Sequence, residues 1–540
     1  MWQPRTAPAA VRWLVPLLVA LLLGQMAVAM ATSAARQTPT IDEPVYVGAG
    51  TVYLREHSLR HNPEHPPLGK LLIGAGVALA QPRLERPVPD HQGALGRRLL
   101  YESGNDPWEV MRGARLPVLV LTLLFGLVVF AFARELAGTA AGLAALALYA
   151  LSPDVIAHGS LATLDVPAAG FLLTSVWLVW RARSGLPRFL PLAGLALGAA
   201  LATRMSALPA LPVLMALAGW SVWHARGRSL RRALLGAALV AVVAVAVVWA
   251  AYLAVDPRLR WAPQQPVPVV RGLRGLLVQL LPFPEAYRDG MRVQFGLEEH
   301  AWEGYLFGRL YTGSLWYYLP AALLVKTPLG TLALWAAGAC ALVTVRRLRP
   351  AAPYVLLPAA VLLAAAMHTT RDLGTRYAVF LPLFLAVAAG CVPAVRGRWP
   401  APAVWAPAVW VLVAFAAVSS LRTYPYYLPY GNEAFGGPAA THQHLHDSNV
   451  DWGQDLGRLA DRLRERYPGE RVWLVYKGSG VPSYYGIDAS DPLAVPEQRV
   501  RGLLVVSDSS VAKARGRLAA LIDSGRPVDE VGHSLTIYRR

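Results

Sequence analysis

The sequence predicts a polytopic α-helical membrane protein of about eleven spanning helices with a small C-terminal α/β domain. Three observations predict it. Of the 540 residues, 55% are hydrophobic and only 16% are charged, where a soluble domain carries roughly 25% charged residues; mean hydropathy is +0.39. Apolar runs long enough to span a bilayer recur along the first 420 positions. Beyond residue 421 charge density rises and the apolar runs shorten to strand length. These numbers exclude a soluble multidomain enzyme and a disordered chain. Both cysteines, Cys340 and Cys391, lie in apolar runs, which excludes a disulfide framework and a cysteine zinc cluster.

In chain order, spans are expected at 11–31, 112–133, 138–157, 161–180, 187–203, 206–223, 231–254, 315–345, 351–367, 375–395 and 401–420. The first reads as an uncleaved anchor, because its apolar core is long and Ala27-Val28-Ala29 is a weak cleavage site. Orientation follows from arginine. Arg181, Arg183 and Arg188 share one short loop, and Arg226, Arg228, Arg231 and Arg232 another. Arg346, Arg347 and Arg349 share a third, and Arg396 and Arg398 a fourth. All four loops are cytoplasmic if the first helix runs outward, and the positive-inside rule is then met at every short loop. The reading is a multi-pass protein of the cell (inner) membrane with a cytoplasmic N-terminus. Residues 32–111, 255–314 and 421–540 fall outside. In the last of these, 472–476, 502–506 and 535–538 read as strands, and 453–467 and 510–523 as amphipathic helices. Residues 1–420 thus form a membrane domain and 421–540 an extracytoplasmic domain.

The net charge of +18 comes from 51 Lys+Arg against 33 Asp+Glu. Topology-holding loops account for it without a nucleic-acid partner. Arginine is the default cation. The only lysines are Lys70, Lys326, Lys477 and Lys513, so a lysine beside a membrane motif stands out.

Ionisable residues at membrane depth are costly and mark functional sites. Here they cluster on the expected outer side. The first cluster is Asp42-Glu43, then Tyr46, Tyr53 and the run His61 to Lys70, with Glu64 and His65 in it. An adjacent carboxylate pair past a membrane exit can supply a general base; it can equally cap a helix opened by Thr40 or Asp42. Lys70 heads an apolar stretch too short to span, read as a helix on the membrane surface with its ammonium at headgroup level, where it would meet a lipid phosphate or simply snorkel. The second cluster holds Asp154, His158, Thr163 and Asp165, the last about one turn inside a span; a carboxylate there needs a partner or a water-filled cavity. The third is Lys326-Thr327-Pro328, and the fourth runs from His368 through Arg371 and Arg376 to Tyr377. Its two arginines have no topological role outside, and their planar forks suit phosphate. Alternating His442, His444 and His446 could hold metal, but no tetrahedral set is evident; Asp447, Asn449 and Asp451 read better as caps for a helix beginning near Trp452.

Seven motifs in order carry a resemblance: Asp42-Glu43, HPPLGK at 65–70, HGSLATLDVP at 158–167, WYYLPAALLVKTP at 316–328, RDLGTRYAVFLP at 371–382, YPYYLPYGNEAFGG at 424–437 and DSNVDWGQDL at 447–456. Together they resemble the lipid-carrier-dependent glycosyltransferases of the GT-C superfamily, in particular family 39 with its protein O-mannosyltransferases and aminoarabinose transferases. The resemblance implies a polyprenyl-phosphate sugar donor as co-substrate and an inverting transfer outside the cell. It makes Asp42 the base, with Glu43 beside it. The acceptor stays open among protein, lipid and polysaccharide. Lys70, Arg371, Arg376 and Lys326 are then the candidates for the donor phosphate, and His65, Glu64, His158, Asp165 and Tyr377 for the rest of the substrate site. No firm cofactor and no metal ligands are expected, though the chemistry leaves room for a divalent cation. The rival class is a transporter or lipid flippase, which should place its charges near mid-bilayer on broken helices. An inactive, scaffold-like relative is the third reading.

Overall fold

The computed structural model describes residues 9–186, 188–225, 228–263, 265–394 and 402–540. The chain opens with α1 (Ala9–Arg36), α2 (Glu43–Glu56), α3 (Pro67–Ala78), α4 (Gln92–Arg97) and α5 (Pro107–Ala137). Next come α6 (Thr139–Ala150), α7 (Pro153–Gly159), α8 (Asp165–Ala182), α9 (Phe189–Thr203), α10 (Ala210–Ala225) and α11 (Leu230–Val255). Then follow α12 (Gly272–Leu280), α13 (Glu285–Glu298) and a hairpin of β1 (Glu303–Leu306) and β2 (Arg309–Thr312). The helical part ends with α14 (Tyr318–Lys326), α15 (Leu329–Thr344), α16 (Ala352–Met367), α17 (Phe380–Gly390), α18 (Pro402–Arg422) and the single turn α19 (Thr441–His444).

Over its described residues each expected span overlaps a helix or a broken pair of helices, though several, such as α17 with 11 residues, are shorter than a bilayer crossing. Among the described residues, Trp13–Arg36, Pro107–Ala137, Leu230–Val255 and Arg349–Met367 are long and apolar enough to cross a bilayer. Two expected spans are interrupted. Leu151 and Ser152 separate α6 from α7, which opens at Pro153 and is bent from α6 by 61°, and Thr327 and Pro328 separate α14 from α15; proline lacks the N–H that would continue the helical ladder. Leu116, Val120, Leu124 and Leu127 of α5 are exposed at helical spacing, as are Leu235, Leu239 and Val242 of α11. Such stripes are unfavourable in water and cost nothing against lipid.

Small residues bring α2, α3 and α5 together. A Cβ on Gly50 would lie 2.4 Å from the Lys70 carbonyl oxygen, and one on Gly76 2.1 Å from that of Gly113. Only glycine permits crossings so close.

After α20 (Leu456–Arg466), β3 (Val472–Val475), β4 (Ala489–Ser490), β5 (Leu503–Ser507), α21 (Asp508–Ala512), α22 (Gly516–Asp523), β6 (Arg526–Val531) and β7 (Leu535–Arg539) complete the chain. The sheet order is β4-β3-β5-β7-β6. β3 runs parallel to β4 and β5, while β7 is antiparallel to β5 and β6. The three expected strands coincide with β3, β5 and β7. β4 and β6 lie at the edges, with mostly exposed or half-buried residues that give no apolar signature. The expected helix 510–523 is two helices, parted at Lys513–Arg515.

Candidate active site

A cavity of about 880 Å³ lies where the start of α2, the 62–65 loop, the start of α8, the 204–212 turn, α13 and the 368–380 segment meet. Its lining is divided. One part carries Asp42, Glu64, His65, Asp165, Arg204, Arg371, Arg376 and Tyr377. The other is apolar, with Leu172, Leu208, Leu211, Leu362 and Phe380 among its residues.

Asp42 and Glu43 part company at the first turn of α2. Glu43 is fully buried; its carboxylate accepts from Arg115 Nε at 2.7 Å and Nη2 at 2.6 Å, from Ala162 N at 2.7 Å and from Thr40 N at 2.9 Å. Thr40 donates to it through Oγ1 as well, at 3.1 Å, which ties the chain before α2 to the helix's first residue. Glu43 therefore braces the helix start and does not line the cavity, which corrects its expected place among the reacting groups. Asp42, at the N-cap position, makes no side-chain cap bond. Its carboxylate accepts from Arg376 Nη1 at 2.5 Å.

The other expected residues divide the same way. Arg371 faces the cavity and is held by Glu298 at 2.8 Å and Gln294 at 2.6 Å. Glu64 accepts from Asn62 at 2.7 Å and Gln92 at 2.9 Å. His65 is half-buried, edge-on to Tyr46, with Nδ1 unpartnered. Desolvation, and then the positive field of Arg204, pushes the His65 pKa well below the usual imidazole range. Asp165 is ion-paired with Arg204, and the Arg204 guanidinium lies 5.5 Å from the Tyr377 ring centre.

Besides Glu43, three expected residues lie outside the cavity lining. Lys70 is fully buried, not at a surface: its ammonium donates to the Asn62 and His65 carbonyls, both at 2.6 Å, and sits 4.9 Å from the Tyr53 ring. It ties the loop that carries Glu64 and His65. Lys326 donates to the carbonyls of Leu428 at 2.5 Å and Asn449 at 2.9 Å, and lies 3.8 Å from Asp154. His158 packs edge-on against Trp452, 6.1 Å between ring centres. Both buried ammonium groups spend donors on backbone carbonyls, as a buried charge requires.

Arg204 is the residue sequence reasoning passed over. Its signal was the one used for Arg371 and Arg376, an arginine on the expected outer side with no topological duty, but it stood alone between two apolar runs. Among the described residues no three His, Cys, Asp or Glu side chains form a group that could hold a metal ion. Of the carboxylates that line the cavity, Asp42, Asp165 and Glu298 are each paired with an arginine, while Glu64 accepts from Asn62 and Gln92. Asp447, Asn449 and Asp451 do not cap a helix: α20 begins at Leu456 with Asp455 before it, and the three are bonded across the junction described below.

Residues 108–252 match the family model described as dolichyl-phosphate-mannose-protein mannosyltransferase. The match takes in the 158–167 motif and both members of the Asp165–Arg204 pair. With the motif series, it makes the chain similar to the lipid-carrier-dependent glycosyltransferases of the GT-C class. No curated protein matches the chain. Among solved structures, similarity extends to ArnT from Cupriavidus metallidurans bound to undecaprenyl phosphate, at 18% identity over 98% of each chain with a TM-score of 0.48. It extends also to the archaeal oligosaccharyltransferase AglB from Archaeoglobus fulgidus in complex with an inhibitory peptide and a dolichol-phosphate, at 14% identity over 83% of this chain and 58% of that one, TM-score 0.45. The S. cerevisiae protein O-mannosyltransferase Pmt1-Pmt2 complex bound to the sugar donor matches at 18% identity over 44% of this chain and 33% of that one, TM-score 0.33.

Proposed function

We propose that this protein is an integral-membrane glycosyltransferase that moves a sugar from a polyprenyl-phosphate donor to an acceptor on the extracytoplasmic side, with inversion. The observation that carries the reading is the divided cavity: a carboxylate–guanidinium pair, Asp42 with Arg376, sits in the polar part of a hollow whose other part is apolar. Such a space suits a donor that is anionic at its head and hydrocarbon along its tail. The topology that goes with it is eleven spans from a cytoplasmic N-terminus in the inner membrane, a membrane domain over 1–420 and a domain over 421–540 outside.

In this mechanism the acceptor's hydroxyl or amine attacks the anomeric carbon. The bond from that carbon to the phosphate oxygen breaks, and polyprenyl phosphate leaves with the electron pair. Asp42 takes the acceptor's proton. Arg376 and Arg371, joined by Arg204, meet the charge that grows on the leaving phosphate; donors already fixed in place do this without reorganising. Each guanidinium is held by a carboxylate before substrate arrives, so the phosphate joins pre-oriented forks. The Asp42–Arg376 bond must loosen as the base turns to the acceptor.

Undecaprenyl phosphate binding to purified protein tests the donor half. Arg376→Ala should weaken binding by roughly 1.5–3 kcal/mol, the worth of a charge-assisted hydrogen bond. Unchanged affinity in Arg371→Ala, Arg376→Ala and Arg204→Ala alike would move the donor elsewhere. Vesicles in which lipid crosses the bilayer without any sugar transfer would favour the flippase reading.

A further inference from the structure

The polar stretch 445–455, which precedes the sheet, does not line the cavity. It runs behind it, between the two segments that carry the Asp42–Arg376 pair. On one side the Ile41 amide, next to Asp42, donates to the Trp452 carbonyl at 3.0 Å, and the Thr38 amide donates to Gln454 at 2.9 Å. On the other side the Thr375 amide, next to Arg376, donates to Asn449 Oδ1 at 3.0 Å, and Ser448 Oγ donates to the Leu373 carbonyl at 2.6 Å. The fit is close enough that a Cβ on Gly374 would lie 2.2 Å from Ser448 Oγ. Between these two seams the Trp452 indole, 1% exposed, lies against the Arg376 guanidinium with 4.4 Å from ring centre to Cζ.

We propose that Trp452 and Asn449 are positioning residues for the transfer: the loop that leads into the C-terminal sheet acts as a spacer that sets Arg376 against Asp42. The physical reason is economy of partners. Arg376 Nη1 is bonded to Asp42, and Nη2 reaches Tyr377 Oη at 3.4 Å. The aromatic face behind the guanidinium holds its plane without using an N–H, so the fork stays aimed at the cavity. Neither Trp452 nor Asn449 touches the space where substrate would lie. They act through Arg376 and through the backbone on either side of it.

This inference rests on the proposed function for its catalytic meaning, but its geometry is testable without a substrate. In the unliganded full-length protein, amide hydrogen exchange in peptides covering 38–46 and 371–379 should be slow, although both include loop. Rapid exchange there in the wild type would overturn the spacer directly. Trp452→Phe and Trp452→Met both remove bulk, but only the first keeps an aromatic face. The Met variant should exchange at least about tenfold faster in 371–379 than the Phe variant, and should bind undecaprenyl phosphate about fivefold more weakly, with Phe within about twofold of wild type. Equal behaviour of the two variants would sink the role of the ring. If the exchange pattern holds while the wild type binds no undecaprenyl phosphate, the functional reading fails and the spacer stands.

Discussion

Two adjacent carboxylates face opposite ways. Asp42 and Glu43 differ by one methylene, yet a step of one residue at a helix start turns the second into the protein and leaves the first against the cavity. Glu43 and Arg115 form a buried pair whose side chains are 0% and 2% exposed. Removing one partner strands the other charge, so Glu43→Ala should cost roughly 3–5 kcal/mol of stability, read as a fall in apparent Tm. Asp42→Asn is nearly isosteric and keeps a weaker partner for Arg376. It should leave apparent Tm close to wild type while abolishing sugar transfer. Near-native turnover in that variant would remove Asp42 from the role of base. The pair was legible in the sequence as a site. Which member faces the cavity was not, because both local readings, cap and base, fit the same two letters.

At the scale of elements, the site depends on how α2 and α3 cross. Gly50 and Gly74 face each other there: a Cβ on Gly74 would lie 2.7 Å from the Gly50 carbonyl oxygen. Gly50→Val should push α3 off α2, cost at least about 1–3 kcal/mol, and lower turnover by displacing the loop that Lys70 ties. Lys70→Met should behave as a structural lesion too. It leaves the His65 carbonyl without its ammonium donor and the Asn62 carbonyl with only the His65 amide at 3.3 Å, at about 1–3 kcal/mol, and apparent Tm should fall more than affinity for undecaprenyl phosphate. The opposite ranking would return Lys70 to the phosphate. The sequence marked this lysine by its rarity. It could not say whether the ammonium reaches out or folds back, since snorkelling and a buried carbonyl clamp need the same stem and differ only in what packs above it.

At the scale of the whole molecule, the helical part and the sheet meet through buried polar groups. Lys477, just after β3, is ion-paired with Asp447. Asp451 accepts from the Gly453 amide at 3.1 Å and the Ser509 amide at 3.4 Å. Burial pushes the Asp451 carboxyl up to about 7. In the unfolded chain it titrates at about 4. Between those values the folded protein holds a proton that the unfolded chain has lost. The stabilising contribution is therefore complete below about pH 4 and is lost as pH rises through about 7. Asp451→Asn removes this dependence, so wild-type minus variant apparent Tm should fall between about pH 4 and about pH 7. Parallel curves would count against a buried, proton-holding Asp451. A reporter fused to the C-terminus and active only in the cytoplasm would reverse the proposed topology.

By itself the sequence determined the class of molecule, because spanning helices, charge-poor runs and arginine-rich loops follow from local composition and the bilayer's thickness. It also determined where most helices lie, the three inner strands of the sheet, and the neighbourhoods of Asp42, Glu64, His65, Asp165, Arg371, Arg376 and Tyr377. Only the tertiary structure decided which charged groups face the cavity. Lys70, Glu43 and His158 sit in the same motifs as cavity residues and are turned into the protein, as is Lys326 from a motif that does not reach the cavity, while Arg204 comes from a turn that carried no motif. The reason is that a polar side chain's role at depth depends on which carbonyls and carboxylates lie within about 3 Å of it, and those partners, such as Arg115 for Glu43 or Asn449 for Lys326, arrive from segments tens to hundreds of residues away.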